Sequence, residues 1–383
     1  FEIPAVLGLS TVSKKVRNGN TIIVDGNHGT VILRPGVSVV KMYRERIIEW
    51  EQHEEDLLTL YNLPAATLDG QRVQLKANIE LPQEADSALS HGADGVGLYR
   101  SEFLFMHASD AAHEEEQFEA YAYVLKKFKD RGPVTIRTID LGGDKITPGI
   151  DDFDEENPIL GWRAVRFCLS RKDIFRTQLR AMLRASVYGN LRIMFPMISG
   201  VDELDDVLKV LEEAREECRR HNYPFSDSIQ VGSMIEVPSA AIISDIIARK
   251  VDFLSIGTND LIQYTIAVDR GNEKIAYLYD PFHPGVLRLI KMIIDNGHKA
   301  GIPVAMCGEM ASDPLSAILL LGIGLDEFSM SPTGILEVKK IVRSVTASET
   351  KELADRVITL ESSQEIQRLV REWANERFDI IST

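Results

Sequence analysis

Short apolar runs alternate with longer stretches of helical periodicity through most of the chain. The apolar runs occupy 73–79, 95–99, 134–139, 191–195, 229–235, 252–256, 303–306 and 327–330. Each is of strand length and bounded by turn-forming or charged residues, so each reads as a buried strand. Between them lie amphipathic segments, clearest at 114–129, 202–219 and 284–300. Their apolar residues recur at the spacing of one helix face. Eight such runs with intervening helices, over roughly 270 residues, predict fold class α/β and a (β/α)8 TIM barrel. A doubly wound sheet is the competing architecture. No glycine-rich dinucleotide fingerprint follows the first run, which favours the barrel.

The flanks read differently. Ile22-Ile23-Val24 and Val31-Ile32-Leu33 flank Asp25-Gly26-Asn27-His28-Gly29, a hairpin signal. Residues 1–36 therefore read as the end of a small β-rich domain. Residues 37–62 carry a helical stripe of Val40, Tyr43, Ile47, Trp50, Leu57 and Tyr61, interrupted by Glu54 and ended by Leu63-Pro64. We take 37–66 as a helical linker packed along a neighbouring domain. The barrel with its terminal helices, from 343 onward, takes 67–383. The chain opens at Phe1 inside a strand-like pattern and is expected to be a fragment of a longer protein.

The 383 residues are 44% apolar, enough for a large core, and carry a formal net charge of −15. That charge argues against a nucleic-acid or membrane-surface partner. Cys168, Cys218 and Cys307 are an odd set without a pairing pattern, which predicts a reducing, cytoplasmic setting. No signal peptide and no membrane-spanning apolar run is found.

A barrel of this kind places its active site at the C-terminal ends of the strands. Polar groups fall at many of those ends: Asn78, Arg100, Arg137 with Asp140, Glu236, Asn259 with Asp260, and Cys307. The run SIGTNDLIQYTIAVDRGN from Ser255 is the densest, adding Arg270 and Asn272 after a helical stretch. Arg137, Lys145 and Arg163 bracket a long acidic loop after the third run, and loops of that length in a compact barrel are usually functional. Arginines so placed in an acidic protein suit an anionic small molecule. An ordinary surface arginine is the plain reading of any one alone.

Glu236 and Asp260 come from neighbouring strands, so their carboxylates can meet at the barrel mouth and hold Mg²⁺. A carboxylate capping the next helix is the alternative for either. The histidines are scattered, and no His/Cys cluster suggests zinc. Cys307, at a strand end before Gly308, is a nucleophile, an acid or a packed small residue. No histidine adjoins it, which leaves the nucleophile unsupported. Cys168 and Cys218 lie inside helical patterns and read as structural. Several cations and a metal around one anion is what phosphoryl transfer requires.

These motifs together resemble the enzyme I family of the phosphoenolpyruvate-dependent sugar phosphotransferase system. The resemblance rests on GLYRSEFLFM from Gly97, IRTIDLGGDK from Ile136, NPILGWRA from Asn157 and LRIMFPM from Leu191. It continues through MIEVPSA from Met234, the run from Ser255, MCGEMASD from Met306 and LDEFSMS from Leu325. By resemblance, residues 67 to about 345 are a phosphoenolpyruvate-binding barrel. Residues 1–36 are the end of a swivelling phosphohistidine domain. Glu236 and Asp260 match Mg²⁺ ligands. Arg100, Arg137, Arg163, Asn259 and Arg270 match positions that bind the substrate phosphate and carboxylate, and Lys145 a further cation. Cys307 matches the residue that protonates the enolate carbon.

Two departures stand out. Ser101 replaces a common Thr, and the family's phosphorylated histidine, in a Gly-Gly-x-x-Ser-His type motif, is absent; His28 is no substitute. The resemblance implies a phosphoenolpyruvate-protein phosphotransferase that releases pyruvate. Its partners would be a phosphocarrier protein, reached through missing N-terminal domains, and a second copy of the chain. An ATP-dependent maker of phosphoenolpyruvate and a non-catalytic sensor barrel are the competing functions. The full set of Cys307, Glu236 and Asp260 argues against the sensor.

Overall fold

The computed structural model describes residues 3–9, 11–26, 28–106, 113–142 and 157–378. These form two compact units: residues up to Asn62 with 375–378, and Leu63–Ala374. In the first unit β1 (Ile22–Asp25) and β2 (Thr30–Leu33) make an antiparallel hairpin, with Asp25 opposite Thr30. The Asp25 carboxylate closes the turn, accepting from the His28 backbone N–H at 3.0 Å and meeting its Nδ1 at 2.9 Å. The helix that follows runs Val37–Leu58, four residues shorter than its pattern predicts. Thr59, Leu60 and Tyr61 instead donate three residues back, to Asp56, Leu57 and Leu58. Such tight bonds finish a helix, and Pro64 disfavours helical geometry at Leu63. Within its stripe Ile47 and Trp50 are exposed.

The second unit is built on eight parallel strands: β3 (Gln74–Ile79), β4 (Val96–Arg100), β5 (Val134–Arg137), β6 (Leu191–Phe195), β7 (Gln230–Ile235), β8 (Phe253–Ile256), β9 (Val304–Met306) and β10 (Glu327–Met330). They close in the order β10-β3-β4-β5-β6-β7-β8-β9. This is the predicted (β/α)8 barrel, and the strands lie where the apolar runs do. The third run is the one cut short at its carboxyl end. Beyond Arg137 the backbone N–H of Ile139 turns to Gln178 Oε1 at 3.1 Å and that of Asp140 to Glu102 Oε1 at 2.9 Å. Side chains thus take over the donors that a strand would use.

The outer helices present apolar faces to the barrel. Lys172–Ala185 buries Ile174, Phe175, Leu179, Met182 and Leu183, and Val201–Arg220 buries Leu204, Val207, Val210, Leu211 and Cys218. Each fully buried side chain of this size contributes about 1.5–3 kcal/mol. Cys168 is buried in Ala164–Ser170, so both helical cysteines are packed inside.

The barrel interior is not uniformly apolar. Near its amino end Lys76 of β3 donates to Glu327 of β10 at 2.6 Å. Arg192 of β6 reaches the same carboxylate, with Nη1 at 2.9 and 3.2 Å from its two oxygens. Arg192 Nε donates to Gln230 Oε1 at 2.7 Å, and its guanidinium lies over the Phe253 ring at 5.2 Å. Burial pulls the Lys76 ammonium down to about 8, with Glu327 opposing the fall and Arg192 adding to it. Above this charged layer Leu98, Met194, Met234, Phe253 and Cys307 form a packed floor.

Candidate active site

Every predicted strand-end residue within the described part lies at the carboxyl end of the barrel. Lys145 falls outside the described residues. The centre is a pair of arginines on one carboxylate. Asp140 takes Arg137 Nη1 on Oδ2 at 2.8 Å and Arg163 Nη2 on Oδ1 at 2.8 Å. Glu102 Oε1 accepts from Arg137 Nη2 at 3.0 Å as well as from the Asp140 N–H. Burial works against the charge on Arg137, but Glu102, Asp140 and Glu236 outweigh it and raise its pKa. Burial likewise opposes the Arg163 charge, and Asp140 and Asp260 overcome it. Both arginines are therefore fixed cations. Arg137 Nε is buried without a hydrogen-bond partner among the described residues.

The backbone is bent to deliver these groups. Arg163 precedes the helix Ala164–Ser170 and forms a bridge with Gly142. Ala164 adopts φ 51 and Met197 φ 55, left-handed conformations that side-chain-bearing residues seldom take. Met197 then aims its N–H at Glu236 Oε1, 2.6 Å away. Strain of this kind gathers where a site over-determines the chain. Tyr264 Oη donates to the Ile159 carbonyl at 2.5 Å, on the stretch that leads into Arg163.

Glu236 follows β7 and is 2% exposed. Burial, then the carboxylates of Asp140 and Asp260, push its pKa up to about 8; Arg137 and the Met197 N–H oppose this. Asp260 stands in the first turn of the helix Thr258–Ile266, where the dipole favours a negative charge. Its carboxylate has no hydrogen-bond or ion-pair partner among the described residues. Gly257, the N-cap, has no room for a side chain: a Cβ there would lie 2.7 Å from Glu236 Oε2. Among the described residues no group of three or more His, Cys, Asp and Glu is arranged to hold a metal by itself. Any metal here would rest on two carboxylates plus ligand and water oxygens.

Cys307 follows β9 and is 5% exposed. Ser255 Oγ donates to its sulfur at 3.5 Å, and its carbonyl accepts from Asn78 Nδ2 at 3.0 Å. Burial pushes the thiol above its ordinary pKa, only partly offset by Ser255 and Arg137. A protonated thiol suits an acid better than a nucleophile.

At the rim, Asn259 and Glu309 are paired both ways. Asn259 Nδ2 donates to Glu309 Oε1 at 3.0 Å, and the Glu309 N–H donates to Asn259 Oδ1 at 3.1 Å. Arg270 Nη1 is 3.9 Å from the same Oε1. Arg100, at the end of β4, is paired with Glu80. The counter-charges Glu80, Glu102 and Glu309 are what sequence reasoning missed. Glu102 and Glu309 each stand two positions after a residue already singled out, Arg100 and Cys307, and that proximity was the available signal.

The chain matches the family described as "PEP-utilising enzyme, PEP-binding domain" over residues 54–347. It is 47% identical over 373 residues to the phosphoenolpyruvate-protein phosphotransferase of Staphylococcus carnosus (strain TM300), covering 97% of this chain and 65% of that protein. The protein of the same name from Bacillus subtilis (strain 168) is 45% identical over 372 residues, with 97% and 65% covered. The chain thus spans about two thirds of the length of these relatives. Among solved structures, a citrate lyase from Burkholderia xenovorans LB400 aligns at TM-score 0.38 and 16% identity, over 68% of this chain and 78% of that one. So low a score bears on neither fold nor function.

Proposed function

We infer that this chain, which belongs to the PEP-utilising enzymes through their PEP-binding domain, binds phosphoenolpyruvate at the barrel mouth and serves a phosphoenolpyruvate-protein phosphotransferase. The observation that carries this is the convergence of two largely buried arginines, two carboxylates and a buried thiol. Arg137 and Arg163 hold the anion. The buried Arg137 Nε, without a partner among the described residues, gains an acceptor when an anion arrives.

The donor set fits Mg²⁺. Glu236 is buried against Asp140 and Asp260, a repulsion that a cation on Glu236 and Asp260 relieves. When bound, the ion neutralises charge on the phosphoryl and enolate oxygens. Arg100, Asn259, Arg270 and Lys145 complete the anion site in the same reading. A histidine outside this chain takes the phosphoryl. The P–O bond breaks as the new P–N bond forms, and its electron pair stays on the oxygen as the enolate. As the enolate collapses to the ketone its C=C pair takes the S–H proton of Cys307 at C3, leaving pyruvate and a thiolate that regains a proton from solvent.

Residues 1–36 as the end of a phosphohistidine domain, 37–66 as a linker and 67–383 as the catalytic barrel belong to the same proposal. So do the phosphocarrier partner, the homodimer and a cytoplasmic location. No described helix is long and apolar enough to cross a membrane.

The test is titration calorimetry of the chain with phosphoenolpyruvate, with and without Mg²⁺, beside incubation with ³²P-labelled phosphoenolpyruvate. Mg²⁺-dependent binding without stable labelling is expected. No binding overturns the reading, and stable label on the chain overturns the claim that the acceptor lies elsewhere.

A further inference from the structure

Glu309 lies against two groups that the proposed function gives to the substrate. Its Oε1 stands 3.0 Å from Asn259 Nδ2 and 3.9 Å from Arg270 Nη1. One carboxylate oxygen thus occupies the point where an amide donor and a guanidinium converge. The arrangement is built. Gly308 carries the chain so close to the helix start that a Cβ on it would fall 1.8 Å from Thr258 Oγ1. That approach brings the Glu309 N–H to Asn259 Oδ1 at 3.1 Å. The amide is thereby oriented, with its oxygen spent on the backbone and its NH₂ turned to the carboxylate. Tyr279 Oη donates to the Asn259 carbonyl at 3.3 Å and steadies the same turn.

The partners of this carboxylate differ from those of Asp140. Asp140 is buried between two arginines. The Glu309 side chain is 81% exposed and Arg270 is 48% exposed. It can swing out into water at little cost, since exposed ion pairs are weak.

We propose that Glu309 is a specificity-determining residue: its carboxylate holds the Asn259–Arg270 seat in the free protein, and a substrate carboxylate must displace it. This rests on the proposed function, in which Asn259 and Arg270 bind phosphoenolpyruvate. The seat holds a carboxylate in the free protein, so a carboxylate ligand is the natural competitor. Ligands that bear one meet the internal rival; inorganic phosphate, placed by Arg137 and Arg163, does not. Glu309 thereby lowers affinity for carboxylate ligands and leaves phosphate unaffected.

The experiment titrates the parent chain, Glu309→Gln and Glu309→Ala with phosphoenolpyruvate, pyruvate and inorganic phosphate in the presence of Mg²⁺. Both variants should bind phosphoenolpyruvate and pyruvate about two- to fivefold more tightly, the scale of an exposed ion pair, and phosphate as the parent does. A parent that binds phosphoenolpyruvate beside variants that bind it equally or more weakly overturns this inference alone; weaker binding would make Glu309 a support for Asn259 instead. A uniform gain for all three ligands also overturns it, as a general charge effect. A parent that binds neither carboxylate ligand overturns the proposed function and this inference with it. Circular dichroism on both variants checks that the barrel is intact.

Discussion

A carboxylate oxygen of Glu236 fills the space that a side chain on Gly257 would need, 2.7 Å from an ideal Cβ. Gly257 has φ −88, open to any residue, so contact alone excludes a Cβ there. Gly257→Ala should push Glu236 off its place and lose the Mg²⁺-dependent part of phosphoenolpyruvate binding. Overpacking of this kind costs about 1–3 kcal/mol of stability. Calorimetry with and without Mg²⁺, beside urea unfolding, reads both. Unchanged metal dependence would mean that Glu236 is not confined by Gly257.

Glu236→Ala and Asp260→Ala should each abolish the same Mg²⁺-dependent component. If either mutant keeps it, that residue is not a metal ligand.

The raised pKa of Glu236 gives a pH signature in the ligand-free protein. Its folded value is about 8 against 4.5 for an ordinary glutamate. Between those values the folded state holds a proton that the unfolded state has lost. The stabilisation is fully present below the unfolded pKa and disappears as pH rises through the folded one. The parent should therefore lose stability relative to Glu236→Gln across that window, by up to about 1.4 kcal/mol per pH unit. Urea midpoints of both proteins in parallel buffers, without Mg²⁺, test it. A constant difference from pH 5 to 8.5 would show that the carboxyl ionises normally.

Cys307→Ser keeps the shape of the side chain but replaces the thiol by a much weaker acid. Phosphoenolpyruvate binding should hold, while Mg²⁺-dependent exchange of the pyruvate methyl protons with D₂O, followed by NMR, should fall by about 10² to 10⁴. Exchange at the parent rate would return Cys307 to a packing residue of the floor.

Inside the barrel, Glu327→Gln leaves Lys76 and Arg192 buried without a carboxylate and should cost about 3–5 kcal/mol. Lys76→Met leaves Arg192 and Glu327 one to one and should change stability by less than about 1.5 kcal/mol. Denaturant unfolding compares them. Equal losses would mean that the network is not governed by its charge balance.

The strands were legible because each is a short apolar run, buried on both sides, with nothing but turns and helices between. The residues at their carboxyl ends were legible for a related reason: Arg100, Glu236 and Cys307 each end such a run with a polar group, and Asn259 follows one by three residues. What stayed hidden depends on pairing across elements. Glu102 reaching Arg137 and Glu309 reaching Asn259 join different strand ends, and spacing along one chain does not encode that closure. Lys76 and Arg192 were visible as charges inside apolar runs, yet only the closed barrel reveals that both point at Glu327. The sequence pattern carries β5 two residues too far, because Ile139 is apolar enough to continue a strand while its N–H is taken by Gln178.

The charged layer also says how the barrel can be divided. Arg192 and Glu327 sit on β6 and β10, four strands apart in either direction around the ring. Lys76 and Arg192 both belong to the first four strands, and Glu327 with Gln230 to the last four. Cut between β6 and β7, one half would carry two inward cations and the other a lone carboxylate. Neither half-barrel could close on a copy of itself without setting like charges face to face. The two halves are complementary to each other and incompatible with themselves.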